Sequence, residues 1–146
     1  MPEVRSMNAL IETITTDQAD LRDRSLESLV EDATLSELLD HITELDRFRR
    51  QEDNLYQRVR ALFFLSAIYR YHLPPRLDQS SSGSIPFEGY EHLLGRRFQE
   101  AIDEFLEVQS TDGASDSLSS ALASAYHDLG FQTLADQVRH SVRTVC

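Results

Sequence analysis

The sequence contains no lysine, so all 14 of its basic residues are arginine. A Schiff-base enzyme, a lysine-linked pyridoxal phosphate and a Walker A phosphate loop each need an ammonium group on a flexible side chain. Tryptophan is also absent, and the only cysteine is Cys146. One thiol forms neither an intramolecular disulfide nor a zinc site built from cysteines. These absences exclude several enzyme classes, and we predict no cofactor.

Long hydrophobic runs are missing as well. No apolar stretch approaches the roughly 18 residues that indicate a membrane span. The longest, residues 61–69, is bounded by Arg60 and Arg70. The N-terminus has acidic residues where a signal peptide would need a long apolar segment. We therefore expect a cytoplasmic protein that does not bind membranes.

The charge is strongly negative overall but unevenly distributed. The formal net charge is −11 at pH 7, which argues against a nucleic-acid partner because such binders neutralise phosphates with a basic face. Residues 47–76, however, carry seven arginines and only two acidic residues. These arginines either form ion pairs with the acidic segments on both sides, or present guanidinium groups that bind carboxylates or phosphates bidentately.

Almost every apolar stretch follows a helical period, which predicts an all-α fold. Thr34 and Glu37 have the spacing of a capping box before one of these stretches. A long central helix is expected from Leu55 until just before Pro74, and Gly95 is expected to kink or break a later helix. We expect six or seven helices, packed as a helical bundle or a short α-solenoid.

The chain is predicted to be a single all-helical domain over residues 1–146, with a flexible serine-rich loop at 78–85. The last helix reaches Cys146 without a stop signal. This gives the expectation that the chain belongs to a longer protein.

A pattern near the C-terminus carries a family resemblance. Leu122, Ala123, Tyr126, Gly130 and Ala135 have a spacing that resembles the tetratricopeptide repeat, a helical hairpin that stacks into solenoids. The resemblance implies that one helix ends at Gly130, that a second follows, and that these five residues pack the two helices together.

The arginine-rich segment also contains tyrosines, and the two together suggest a binding groove. Arginine pairs with carboxylates, and tyrosine rings line apolar pockets for peptides. The alternative is that the tyrosines are core rings with their hydroxyls at the surface. For the groove interpretation, we predict these partner-binding residues: Arg47, Arg50, Arg58, Arg60, Tyr56 and Tyr69.

The favoured function is a non-catalytic helical interaction or scaffold domain that binds an acidic peptide or protein. One alternative is a helical accessory domain of a larger enzyme, or a metal-binding protein with Glu37, His41 and Glu44 on one helix face. Another is a homodimer in which an apolar helix face pairs with its copy.

Overall fold

The computed structural model describes residues 8–77 and 86–145, so the loop predicted at 78–85 lies outside the described residues. Within these two ranges the chain forms eight α-helices and no strand, which confirms the all-α prediction. The helices are α1 (Ala9–Thr15), α2 (Ala19–Arg22), α3 (Leu26–Val30), α4 (Leu35–Gln51), α5 (Leu55–Ala67), α6 (Phe87–Leu94), α7 (Phe98–Asp112) and α8 (Asp116–Val145).

Side chains at the helix starts explain several of these boundaries. The capping box of α4 is present as predicted: the Thr34 hydroxyl accepts a hydrogen bond from the Glu37 backbone N–H, and the Glu37 carboxylate accepts one from the Thr34 N–H. These bonds lower the pKa of Glu37. Asn54 caps α5 in a similar way through the Gln57 N–H. Each cap satisfies backbone donors that the first helical turn leaves without a partner.

Helix α5 is the centre of the core, as its apolar sequence predicts. Its buried side chains pack against α4 on one side and α8 on another. The helix continues through a π-helical turn (Ile68–His72) and a 3₁₀ turn (Pro74–Arg76). The helical segment therefore ends at the prolines, as predicted. Polar contacts fix α5 on α8, since the buried Ser66 hydroxyl donates to the Ala123 carbonyl at 2.8 Å.

The break predicted near Gly95 is also present. Helix α6 ends at Leu94 and α7 begins at Phe98. Between them Arg96 has φ of 61°, a left-handed backbone conformation that a continuous helix does not contain. Near the N-terminus, residues 19–30 form two short helices, α2 and α3, separated by Asp23, Arg24 and Ser25.

The predicted hairpin at the C-terminus is wrong. Helix α8 runs through Gly130 without interruption for 30 residues. Gly130 is buried beside Phe63, and a Cβ atom built on it would lie 3.0 Å from Phe63 Cε1. Small residues and aromatics at this spacing fit either a hairpin or a straight helix packed on a neighbour, and here the neighbour is α5.

The residues of the repeat pattern have other contacts as a result. Leu122, Ala123 and Tyr126 are fully buried, but they pack against the rest of the core. Tyr126 stacks on Tyr69 of the π-helical turn, with 6.0 Å between ring centroids. Ala135, expected at the closest crossing of the hairpin, is exposed on α8.

None of the helices in the described part of the chain combines the length and hydrophobicity that crossing a membrane requires.

Candidate functional site

A groove of about 600 Å³ lies where the end of α4, the start of α5 and the second half of α8 meet, with one residue of α7 at its edge. We call it the Arg58 groove. It combines three arginines, three leucines, several amide and hydroxyl groups, one acid and one histidine. Its lining residues are Arg49, Arg50, Leu55, Arg58, Leu62, Gln99, Leu129, Gln132, Thr133, Asp136, Gln137 and His140.

Two of the three arginines are held in place by Asp46 of α4. Arg49 Nε donates to Asp46 Oδ1 at 3.0 Å, and Arg50 Nε donates to Asp46 Oδ2 at 2.7 Å. The Tyr126 hydroxyl of α8 donates to Asp46 Oδ1 at 2.9 Å. Arg49 is buried and also lies over the Tyr126 ring. One carboxylate therefore joins α4 to α8 under the groove.

Helix α7 completes this network. Arg49 Nη1 donates to Gln99 Oε1 at 2.5 Å, and Arg50 Nη2 donates to Asp103 Oδ1 at 2.7 Å. Burial alone would lower the pKa of Arg50, but the hydrogen bonds to Asp46 and Asp103 raise it. Neighbouring groups thus compensate the charges of Arg49 and Arg50. These two side chains form a fixed wall of the groove and do not offer it an uncompensated charge.

Arg58 differs from these two arginines. It follows the first turn of α5, is partly buried, and forms no ion pair with any residue in 8–77 or 86–145. Leu55 and Leu62, three and four residues away on α5, flank it on the same helix face. The result is a guanidinium group with apolar neighbours on its own helix.

The opposite wall comes from α8. Gln132, Thr133, Gln137 and His140 line it at intervals that keep them on one helix face. Asp136 also lies there, and its carboxylate pairs with Arg139 on the same helix. The amides can donate and accept hydrogen bonds, so this wall can bind a peptide backbone or a carboxylate.

Of the predicted binding residues, the structure brings Arg50 and Arg58 together in the groove. Tyr69 is fully buried, and its hydroxyl donates to Gln109 at 3.1 Å, so its assignment to a surface groove is corrected. Arg60 donates to the Arg22 carbonyl at 2.6 Å, which ties α5 to α2, and it does not line the groove.

The remaining two predicted residues, Arg47 and Tyr56, are exposed but do not line the groove. Residues 47–60 include parts of two helices, α4 and α5. The helix face on which a residue lies determines whether its side chain reaches the groove.

Sequence reasoning missed the α8 wall and Gln99. Gln132, Asp136 and His140 recur every four residues, which is a signal for one polar helix face. The predicted turn at Gly130 hid this signal, because it assigned the segment to a separate, second helix of a hairpin. Gln99 has no local signal, since only the packing of α7 on α4 brings it to the groove.

The metal-site alternative finds no support in the described residues. Glu37 is already engaged in the capping box of α4. Burial lowers the pKa of His41, against the opposing effect of the nearby acids Glu37, Glu44 and Asp40. No group of three or more His, Cys, Asp or Glu side chains with metal-binding geometry is found in residues 8–77 and 86–145.

Comparison with known proteins finds no significant match to a protein-family model, a curated protein or a solved structure.

Proposed function

We propose that this chain is a non-catalytic interaction module and that its Arg58 groove binds an acidic peptide segment of a partner protein. The observation that carries the proposal is the position of Arg58. Arg58 lines a groove of about 600 Å³ and has no ion-pair partner among the described residues. A carboxylate of the partner protein would supply the negative charge that Arg58 lacks nearby, and it would bind the guanidinium through two parallel hydrogen bonds.

The surroundings of Arg58 favour a peptide over a small anion. The groove is bounded by α4, α5 and α8, and Leu55, Leu62 and Leu129 give it apolar surface. Apolar pockets beside a guanidinium suit a segment that alternates acidic and apolar side chains. The glutamines of α8 add donors and acceptors for the backbone of such a segment.

Charge also restricts the expected ligand. The chain as a whole carries −11, so a long acidic partner would be repelled by most of the surface. A short acidic segment avoids this repulsion because it contacts only the groove. We therefore expect binding to depend on a few contacts close to Arg58.

The test uses a fluorescein-labelled peptide of alternating glutamate and leucine, with binding measured by fluorescence anisotropy. Arg58→Glu should weaken binding at least about tenfold, because it removes one charge-assisted bidentate contact and adds a repulsive charge. Circular dichroism checks that the variant is folded, which is expected since Arg58 has no described ion pair to lose.

The matched control is Arg70→Glu, the same charge reversal at an exposed arginine that lines a different surface depression, beside Phe63 and His127. It changes the net charge equally and should leave the affinity within about twofold of wild type. Equal losses in both variants would show a general charge effect. Wild-type binding by Arg58→Glu would refute the groove as the binding site.

A further inference from the structure

The second half of α8 presents an apolar face to solvent. Phe131 is 55% exposed, Leu134 36% and Val138 63%. We call these three residues the α8 stripe. Every residue from Leu134 to Ser141 is exposed, so no described helix covers the stripe. Three large apolar side chains on one exposed helix face form a patch of the kind that marks an interaction surface.

The spacing of the stripe is that of a coiled coil. Phe131, Leu134 and Val138 are separated by three and then four residues, the alternation that keeps a seam facing a partner helix. His127, four residues before Phe131, continues the seam and contacts the Phe131 ring at 4.9 Å between centroids. This pattern favours a second helix as the occupant.

We propose that the occupant is a second copy of this chain and that the two α8 helices pair antiparallel about a twofold axis. With the axis between Leu134 and Ala135, Leu134 lies opposite the partner's Ala135 and Phe131 lies opposite the partner's Val138. Leu134 then faces the smaller alanine and Phe131 the smaller valine, so the two identical surfaces can pack closely.

Charges beside the stripe favour the same arrangement. Asp128 and Arg139 lie on the same edge of the stripe, because eleven residues make almost exactly three helical turns. Antiparallel pairing about this axis places Asp128 next to the partner's Arg139. Parallel pairing would place Asp128 and the partner's Arg139 on opposite sides of the interface, so these charges would not meet. The existing contacts of these groups, Asp128 with His127 and Arg139 with Asp136, are exposed and weak.

The dimer leaves the Arg58 groove open. Asp136 lines the groove and lies about 200° around the helix from Leu134, so the groove wall and the α8 stripe are on opposite faces of α8. The dimer therefore carries two outward-facing grooves. This inference stands on the stripe alone and does not depend on what the groove binds.

The contact is short, and its strength should be modest. Residues 127–141 span about 21 Å at the helical rise of about 1.5 Å per residue. An interface of this length lies at the small end of specific interfaces, so we expect a dissociation constant on the order of 10 µM.

Sedimentation equilibrium from about 1 to 200 µM protein tests the proposal, a range that brackets the expected dissociation constant. The wild type should change from monomer to dimer across this range. Val138→Asp should raise the dissociation constant at least about tenfold, because it buries an unpaired carboxylate in the seam. The matched control is Leu94→Asp, the same kind of change at a leucine of α6 that is 73% exposed. The Leu94→Asp variant should dimerise as the wild type does.

A charge exchange tests the orientation. Arg139→Glu and Asp128→Arg should each weaken the dimer about threefold to tenfold through like charges, and the double variant should recover most of the wild-type affinity. A monomer at every concentration, or a dimer that Val138→Asp leaves intact, would overturn the interface. Failure of the double variant to recover affinity would overturn the antiparallel pairing.

Discussion

The two halves of α8 have similar side chains and opposite surroundings. In the first half, Leu118, Leu122 and Tyr126 are almost completely buried. In the second half, Leu134 and Val138 are exposed, although they recur at the same helical spacing. Each step of four residues turns about 40° around the helix, so this row moves from the core face in the first half to the opposite face in the second. The comparison shows that an apolar row alone does not fix which residues are buried, because the positions of the neighbouring helices decide it.

The neighbours α4 and α5 lie on one side of α8 along its length up to His140. Its first half packs along α5, where Ser66 bonds to Ala123 and Phe63 lies against Gly130. Further along, Arg50 near the end of α4 and Leu55 at the start of α5 line one side of the groove, opposite the wall formed by α8. Leu134 and Val138 lie on the other side of α8, facing away from α4 and α5, and both are exposed.

The largest expected effect comes from truncating one leucine or valine in each half. Leu122→Ala should lower the free energy of unfolding by about 3 kcal/mol, because it leaves a cavity in the core. Val138→Ala should change it by less than about 0.5 kcal/mol. Urea unfolding at about 1 µM, below the dissociation constant proposed for the dimer, gives both values. Similar losses in the two variants would contradict the contrast between the halves.

A pH dependence follows from the buried tyrosines. Burial raises the pKa of Tyr126 and Tyr69 well above the ordinary value of 10.0. Below pH 10 these phenols are protonated in both the folded and the unfolded chain. Above it the unfolded chain loses the protons and the folded chain keeps them, so stability falls as the pH rises. Each tyrosine should contribute about 1.4 kcal/mol per pH unit.

Tyr126→Phe should halve the fall in the free energy of unfolding at alkaline pH. Denaturant unfolding between about pH 9.5 and 11 measures this fall. The variant should also lose about 1 kcal/mol near neutral pH, because its hydrogen bond to Asp46 is gone. The control is Tyr71→Phe at a tyrosine that is 66% exposed. An unchanged slope in Tyr126→Phe, or an equal reduction in both variants, would refute the assignment.

The smallest effect is expected at the junction of the two halves. Gly130→Ala should be neutral or stabilise by up to about 1 kcal/mol, since alanine favours a helix interior. The gain is limited because the half-buried Phe63 ring must move a few tenths of an ångström to admit the new Cβ atom, which would start 3.0 Å away.

The same substitution distinguishes a continuous helix from a hairpin. Among the described glycines only Gly113 has a positive φ. If Gly130 were instead in a left-handed turn, alanine would destabilise the protein by more than about 1 kcal/mol. Thermal unfolding measures the change, and a loss of that size would contradict the single long helix.

Features that depend on neighbours in the chain could be predicted well. The all-α class, the capping box of Thr34 and Glu37, the end of the central helix near Pro74 and the break after Leu94 are all confirmed. Each depends on residues within one or two helical turns, so the sequence carries the whole signal. The prediction of helix boundaries was wrong where the signal was ambiguous. Gly130 is an example, because a glycine fits a turn as well as a close contact with another helix.

The candidate site could be predicted only in part. Arg50 and Arg58 were identified because a basic segment in an acidic chain is visible in the sequence. The sequence did not show that these two arginines differ in their ion pairing. Arg50 is paired with Asp103, 53 residues away, and Arg58 has no ion-pair partner in the described part of the chain.

The sequence by itself therefore determined the helical class, the local caps and stops, and the segment that contains the groove arginines, because these follow from periodicity and near-neighbour chemistry. The tertiary structure alone decided which arginines are neutralised, which tyrosines are buried and which half of α8 stays exposed. Those outcomes depend on contacts such as that of Tyr126 with Asp46, 80 residues apart. Such contacts have no signature in the local pattern of a single chain.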